Sequence, residues 1–242
     1  MNDTLRHALA DARLREVEVS TALSVDPKTV QRWIAGRIPQ RRHRWALADL
    51  VGQHEFDLWP DLAHGGATSH CPEIRASYPY RGAVPREAWH RLFASAEREI
   101  GVLVYSGLFL AEDVEIIRIL ADRARSGVRI RVLLGDPDSP AVASRGAEEG
   151  IAEAMPAKVR NAIVHYRPLL LVDGVEIRLH ATVLYNSLFR ADDELLVNTH
   201  VHGVAAAHAP VLHLRAKAES DLMATYLDSF ERVWATATPH AA

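Results

Sequence analysis

The sequence predicts two domains, a small all-α domain followed by an α/β domain whose mixed sheet is flanked by helices. Three observations lead to this prediction. Apolar residues recur at helical spacing through residues 1–58, and residues 59–84 hold several Gly and Pro without sustained periodicity. From residue 85 to 238, apolar strand-like runs alternate with amphipathic segments. We therefore predict an N-terminal domain, a linker and a C-terminal domain over these three ranges.

The composition indicates a soluble globular protein with an uneven charge distribution. The 242 residues are 48% hydrophobic and 24% charged, with a formal net charge of −3. Residues 1–55 hold nine Lys/Arg and seven Asp/Glu, whereas the remainder holds 19 and 24. A basic end on an acidic body is typical of a protein that contacts nucleic acid with one end.

The single cysteine and the lack of a recognisable targeting signal further narrow the class of protein. The single cysteine, Cys71, excludes an intramolecular disulfide and a zinc site built from several cysteines. The first residues lack the apolar core of a signal peptide, and no apolar run approaches the roughly 20 residues that span a bilayer. We expect a cytoplasmic, nucleoid-associated protein without a membrane partner.

The first domain begins with two short helices, predicted over about residues 4–12 and 16–23. Asp26 can cap a third helix because its carboxylate accepts from free amides of the first turn. Pro27 fits the first helical position, where no hydrogen bond is lost. The inward face of this helix holds Val30, Trp33 and Ile34. Gly36 is predicted to end it, and a fourth helix follows from about residue 45.

Cations accumulate on and after the third helix. Between Lys28 and Arg44 there are six Lys/Arg and no acidic residue. Side chains of this kind hold phosphates or read base edges, so the stretch predicts contact with double-stranded DNA. The predicted DNA-binding residues are Lys28, Thr29, Gln31, Arg32, Arg37, Arg41, Arg42 and Arg44.

Residues 4–52 resemble the lambda-repressor-like (XRE) helix-turn-helix family. The resemblance rests on Val19, Ser20, Leu23, Val25, Val30 and the stretch Trp33-Ile34-Ala35-Gly36-Arg37. Ser20 stands where the family most often has alanine, and Ser24 stands where it usually has the turn glycine. The resemblance implies reading of an operator by the third helix. Such domains normally bind two half-sites as dimers, so we expect the second domain to dimerise.

The second domain is predicted from alternating strands and helices. Helices are expected over residues 85–98, 112–125 and 141–160, the last broken near Pro156, with a closing helix that docks on the sheet. Strands are expected over 100–105, 128–134, 163–166, 175–179, 182–185, 194–197 and 211–214. The order strand, helix, strand over residues 100–134 predicts a parallel right-handed crossover.

This second half resembles one repeat of the phospholipase D superfamily. The resemblance lies in the run IGVLVYSG ending at Tyr105-Ser106, in RLHATVLYNS, in LLVNTHVHG and in the closing FERVW helix. His180 stands at the position of the family's nucleophile, but its lysine position holds Thr182 and its carboxylate position holds Ser187. Loss of one charge clamp raises a barrier by roughly 3–4 kcal/mol. The resemblance therefore implies a degenerate site, and we expect the chain not to be an enzyme.

Five histidines between residues 180 and 213 indicate a polar pocket at the strand ends, where open α/β sheets bind ligands. Scattered surface histidines remain an alternative, and a metal site has only the pair His200-x-His202. We predict no metal and no cofactor. The predicted ligand-binding residues are Tyr105, Ser106, His180, Thr182, Asn198 and His200.

Together these patterns predict a sequence-specific transcriptional regulator that binds an operator, forms a homodimer and senses a small effector. The alternative is a phosphodiesterase or nuclease with His180 as nucleophile. A repressor belonging to a toxin–antitoxin or defence system is a third interpretation, which differs in partner and not in chemistry.

Overall fold

The structure is a computed structural model that describes residues 2–59, 71–216 and 221–240, apart from the side chain of Arg41. The chain divides into two compact units, residues 1–71 and residues 72–242. Each unit is built around its own apolar core.

The described part of the first unit is helical. It contains α1 (Asp3–Asp11), α2 (Glu16–Ala22), α3 (Pro27–Ile34), α4 (Arg41–Val51) and α5 (Glu55–Leu58). The helices pack around a core that includes Leu5, Leu9, Val19, Val30, Trp33, Leu47 and Leu58. The predicted spacing of inward-facing residues on α3 is therefore found, since Val30 and Trp33 are both buried.

Local signals position α3 as the sequence predicts. The Asp26 carboxylate accepts from the Lys28 amide at 2.7 Å, and Pro27 occupies the first turn. Gly36 follows the helix at φ 112°, and the Arg37 amide donates to the Arg32 carbonyl at 2.8 Å. This pairing satisfies a free carbonyl at the end of the helix.

The turn between α2 and α3 uses two small serines. Ser20 is buried, and its hydroxyl donates to the Val17 carbonyl at 2.8 Å. Ser24 adopts φ 52°, in the left-handed region that glycine occupies most easily. Both serines therefore stand where a small or conformationally permissive residue is needed.

The second unit contains a mixed sheet of eight strands. In chain order these are β1 (Ile74–Tyr78), β2 (Glu99–Leu103), β3 (Arg129–Gly135), β4 (Val175–His180), β5 (Asn186–Ala191), β6 (Glu194–Thr199), β7 (Val211–Arg215) and β8 (Thr238–Pro239). Their order across the sheet is β1-β7-β6-β5-β2-β3-β4-β8. The pairs β2–β3 and β3–β4 are parallel and the other pairs antiparallel. The mixed sheet and its parallel crossover confirm the predicted α/β class.

Helices accompany this sheet. The second unit contains α6 (Arg86–Ala94), α7 (Leu108–Ala111), α8 (Val114–Arg125), α9 (Pro140–Glu148), α10 (Ala154–Tyr166) and α11 (Asp221–Thr236). Two apolar clusters fill the unit. One contains Trp89, Phe93 and Leu120, and the other contains Met155, Phe230 and Val233. β2 is buried along its whole length, as its continuous apolar run predicts.

An ion cluster lies on β2 and β3 inside this unit. Arg131 is 5% exposed and Glu99 is 7% exposed, and the Arg131 Nε donates to the Glu99 carboxylate at 2.6 Å. The same guanidinium donates to Glu231 of α11 at 2.7 Å. Arg129 and Arg190 also approach Glu99, at 2.7 Å and 3.6 Å. The cluster joins α11 to the centre of the sheet.

Two predicted strands are wrong. Residues 163–166 belong to α10 because Val159, Ala162 and Tyr166 continue the buried helical stripe past the β-branched pair Ile163-Val164. Residues 182–185 form a loop, and the strand begins at Asn186. In both places, short apolar runs fit either element when periodicity alone is considered.

The segment predicted as a linker, residues 59–84, is partly structured. β1 pairs with β7 at the edge of the sheet, and a short 3₁₀ helix follows at Arg81–Ala83. The Glu73 carboxylate accepts from the amides of Leu222 and Met223 at 3.1 and 2.8 Å, which caps the first turn of α11. The remainder of the predicted linker, residues 60–70, lies outside the described residues.

Across the described ranges, none of the helices combines the length and the apolar content needed to cross a bilayer.

Candidate functional site

The first unit presents an exposed cationic helix face. Lys28 and Arg32 of α3 are exposed, on the side opposite the buried Val30 and Trp33. Gln31 is also exposed, but its amide donates to the Glu16 carboxylate at 2.8 Å. Thr29 is half-buried. The two cations are therefore the side chains of this helix most available to a phosphate or a base edge.

The cations that follow α3 divide into two groups. Arg37 and Arg42 are exposed, whereas Arg44 is half-buried. The Arg44 guanidinium donates to the Glu55 carboxylate and to the Pro39 carbonyl, both at 3.0 Å. Arg44 thus ties α4 to α5 rather than projecting freely. The side chain of Arg41 lies outside the described residues.

The second unit contains a cavity of about 100 Å³ at the carboxyl end of β2. Its wall combines polar and cationic side chains with small ones. The lining residues are Arg81, Val104, Tyr105, Ser106, Gly107, Glu149, Met155, Lys158, Ser187, His200 and Ala205 to Ala207. Carboxyl ends of parallel strands are where open α/β sheets commonly bind ligands.

Ser187 and His200 form a hydrogen-bonded pair in this wall. The His200 Nδ1 lies 3.1 Å from the Leu184 carbonyl, and its Nε2 lies 3.0 Å from the Ser187 hydroxyl. Because the carbonyl can only accept, we assign the ring proton to Nδ1, and the hydroxyl then donates to Nε2. Burial, together with the charges of Arg145 and Arg81, lowers the pKa of His200 to about 4. His200 is therefore neutral at pH 7.

Tyr105 holds this pair from one side. Its ring stacks on His200 with a centroid separation of 5.7 Å. Its hydroxyl accepts from the Leu184 amide at 2.9 Å. Burial raises the pKa of Tyr105, so the phenol stays protonated near neutral pH. Leu184 thus links both rings through its backbone.

Arg81 enters the cavity from the 3₁₀ helix that follows β1. Its guanidinium carbon lies 4.0 Å from the centre of the Phe109 ring, and one nitrogen donates to the Asn198 amide oxygen at 3.5 Å. Asn198 is fully buried and donates to the carbonyls of Ala209 and Pro210. Asn198 is therefore a positioning residue for Arg81.

Carboxylates near the cavity are paired elsewhere. Arg145 is buried and contacts Glu149 at 2.7 Å and Glu148 at 3.4 Å. Arg145 also donates to the Val204 carbonyl at 2.9 Å. Arg145 therefore shares its positive charge between Glu149 and Glu148, with the shorter contact to Glu149.

His180 lies apart from this cavity. It is 2% exposed, with Nε2 3.1 Å from the Val104 carbonyl, while Nδ1 accepts from the Thr182 amide at 3.3 Å. Burial lowers the pKa of His180, which keeps the ring neutral. The carbonyl partner assigns the proton to Nε2. Both nitrogens are thus occupied, and neither presents a free lone pair for nucleophilic attack.

Three of the six predicted ligand-binding residues line the cavity, namely Tyr105, Ser106 and His200. His180, Thr182 and Asn198 lie outside its lining. The prediction omitted Arg81 and Lys158, because Arg81 falls in the aperiodic segment before residue 85. Lys158 falls in a helix that also exposes Arg160. Among the described residues, no group of three or more His, Cys, Asp or Glu could hold a metal ion.

No family model matches this sequence, and no curated protein matches it. Several solved structures, including the following three, show similarity. TrmBL2, an archaeal chromatin protein with a novel mode of DNA binding, is 17% identical with a TM-score of 0.43, over 89% of this chain and 72% of that chain. Nuc, a phospholipase D family member from Salmonella typhimurium, is 14% identical with a TM-score of 0.41, over 69% and 96%. Phosphatidylserine synthase from Haemophilus influenzae is 13% identical with a TM-score of 0.42, over 96% and 54%.

The last two matches correct the prediction that this chain is not an enzyme. That prediction rested on Thr182 and Ser187, which stand where the phospholipase D family has a lysine and a carboxylate. The matched chains are a phospholipase D family member and a synthase.

Proposed function

We propose that this protein is a sequence-specific DNA-binding transcriptional regulator of the XRE helix-turn-helix type. The observation that carries the proposal is the geometry of α3, whose buried Val30 and Trp33 leave Lys28 and Arg32 exposed on the opposite face. A capped helix with cations on its outer face can lie in the major groove between two phosphate backbones. Arg37 and Arg42 extend the cationic surface beyond the helix end.

Operator binding is tested with DNA from upstream of the chain's own gene, by fluorescence anisotropy across a salt series. Arg32→Gln is compared with Arg232→Gln, which removes an equally exposed cation from the second unit. A lost phosphate contact lowers the salt slope by about 0.9, and a lost base contact costs roughly 1–3 kcal/mol. Arg232→Gln is expected to bind as the wild type does. Equal affinity of both variants, or no preference over competitor DNA, contradicts the proposal.

The second unit is proposed to pair two copies of the chain, since half-sites about 34–36 Å apart call for two recognition helices. One chain has a mass of 26.8 kDa. Analytical ultracentrifugation of the protein alone is expected to show twice this mass. A single-chain mass both with and without operator DNA contradicts the dimer. The cavity around Ser187 and His200 is proposed as the effector site.

Phosphodiester hydrolysis is the second candidate function for the same cavity. The observation that favours it is the Ser187 hydroxyl donating to the neutral His200 ring, because a base beside a hydroxyl is how such nucleophiles are activated. The Ser187 oxygen would bond to phosphorus while its proton moves to His200 Nε2. The leaving alkoxide then takes that proton, and water cleaves the phosphoserine ester.

A chromogenic phosphodiester distinguishes the two possible nucleophiles. Turnover by the wild type is compared with Ser187→Ala and His180→Ala. Loss in Ser187→Ala with retention in His180→Ala supports the serine, and the opposite pattern supports His180. Negligible turnover by the wild type removes hydrolysis as a function and leaves operator binding unaffected.

A further inference from the structure

Arg81 is a half-buried cation that forms no ion pair with a carboxylate of the described residues. Burial lowers the pKa of its guanidinium to about 10, and the charge of Glu149 offsets only part of this effect. Within the described ranges, Arg81 forms no ion pair. Its recorded contacts are the Phe109 ring and the amide oxygen of Asn198, which is neutral. Partial burial of a charge without a counter-ion is costly, and an anionic ligand bound beside Arg81 would supply the missing charge.

The guanidinium also has spare hydrogen-bonding capacity. Arginine carries five N–H donors. The single side-chain hydrogen bond recorded for Arg81 goes to Asn198, at a long 3.5 Å. Since Arg81 lines the cavity, the remaining donors are available to a group bound there. A planar fork of donors is suited to two oxygens of one oxyanion.

Further donors surround the same space. The Ser106 hydroxyl lines the cavity and makes no hydrogen bond to another described residue. Lys158 is exposed at the cavity's outer edge, whereas the Ser187 hydroxyl already donates to His200. Glu149 faces the same space and pairs with Arg145. The wall therefore offers two cations that form no ion pair with a described residue, together with the Ser106 hydroxyl.

Cavity size limits what can be held. A cavity of about 100 Å³ is small for a ligand site. This space accommodates one small, compact group. Any larger ligand would have to place only one end in the cavity.

We propose that this cavity binds a phosphate-type oxyanion through the Arg81 guanidinium, with Ser106 and Lys158 as further donors. The oxyanion is inorganic phosphate or the terminal phosphate of a monoester. The inference deepens the proposed function, because it names the chemistry of the effector that this cavity receives. It does not depend on the Ser187–His200 pair acting in catalysis.

Isothermal titration calorimetry of the full-length protein tests the site. Inorganic phosphate and phenyl phosphate are titrated separately, with sodium acetate as a carboxylate control. Phosphate binding is expected for wild type and an affinity at least tenfold lower for Arg81→Met. Arg86→Gln is the matched control, since Arg86 lies outside the cavity lining and pairs with Asp113. Tighter binding of phenyl phosphate than of inorganic phosphate identifies a monoester as the effector class.

Two further measurements keep the result independent of folding. The unfolding temperature of Arg81→Met without phosphate is expected to match or exceed that of wild type, because the variant removes a half-buried charge that has no ion-pair partner. Lys158→Gln changes an exposed residue and is expected to weaken phosphate binding several-fold without altering the unfolding temperature. No phosphate binding by wild type at millimolar concentration, or unchanged binding by Arg81→Met, overturns the proposal.

Operator affinity measured without phosphate separates this inference from the proposed function. Phosphate binding without operator binding leaves the anion site standing and rejects the regulator. Operator binding without phosphate binding supports the regulator and rejects the anion site.

Discussion

The variant Arg131→Met is expected to destabilise the second unit far more than Glu231→Gln, which removes the charge that α11 contributes to the ion cluster. In the variant Arg131→Met, Glu99 loses its closest partner while remaining 7% exposed. Stripping one partner from a buried ion pair costs about 3–5 kcal/mol, because the other charge is left without compensation. Glu99 retains Arg129 and Arg190, so we expect a cost near the lower limit, about 3 kcal/mol.

Glu231→Gln is the matched comparison for this variant. The Glu231 side chain is 51% exposed, so water can replace much of its interaction with Arg131. Partly exposed ion pairs contribute about 0–1 kcal/mol, and we expect a cost in that range. The double variant Glu99→Gln, Arg131→Met removes both buried charges and is expected to be more stable than Arg131→Met alone.

Urea unfolding measures these differences if the readout reports on the second unit. Hydrogen–deuterium exchange of peptides covering β2 and β3 follows this unit separately from the helices of residues 2–59. The midpoint of each variant is converted to free energy with the slope of the same unfolding transition. A loss below about 1 kcal/mol for Arg131→Met, equal to that of Glu231→Gln, refutes the reasoning that Glu99 becomes a stranded charge.

Three further predictions follow from single contacts. Glu73→Gln is expected to lower stability by about 1 kcal/mol, because the neutral amide is a weaker cap for α11; an unchanged urea midpoint contradicts this. Glycine adopts the φ of 52° found at Ser24 without strain, so Ser24→Gly is expected to stabilise the first unit by roughly 0.5–1 kcal/mol and to raise its melting temperature. A lower melting temperature of this variant argues against strain at Ser24. Burial alone raises the pKa of Glu99, but hydrogen bonds from Arg129 and Arg131 prevail and lower it. The ionised Glu99 carboxylate therefore contributes its full stabilisation above the unfolded-state pKa of about 4.3. This contribution is lost as pH falls below that pKa, and the variant Glu99→Gln abolishes the loss.

The elements that depend on local pattern were predictable from the sequence. The capped start of α3 follows from Asp26-Pro27, and the buried strand β2 follows from its continuous apolar run. Residues 163–166 were mispredicted because a β-branched pair inside a helix has the same local preference as a short strand. Long-range packing, which decides such cases, is not visible in a window of a few residues.

The site was harder to predict than the fold. Arg81 reaches the cavity because β1 pairs with β7, more than 130 residues later in the chain. The Arg44 side chain is drawn into an ion pair with Glu55 by the packing of α4 on α5. No spacing of residues in the sequence predicts either arrangement. The Ser187–His200 pair likewise depends on the register of β5 against β6, in which Ser187 lies opposite Asn198.

The pairing of β1 with β7 also has a consequence for synthesis of the chain. A ribosome releases residues 74–78 long before residues 211–215, so this edge of the sheet stays incomplete until β7 has been made. The cavity shares that dependence, since Arg81 arrives early and His200 arrives late. A nascent chain can therefore fold its first helices while the cavity is still incomplete. Any binding of a ligand in this cavity must wait until His200 has been synthesised.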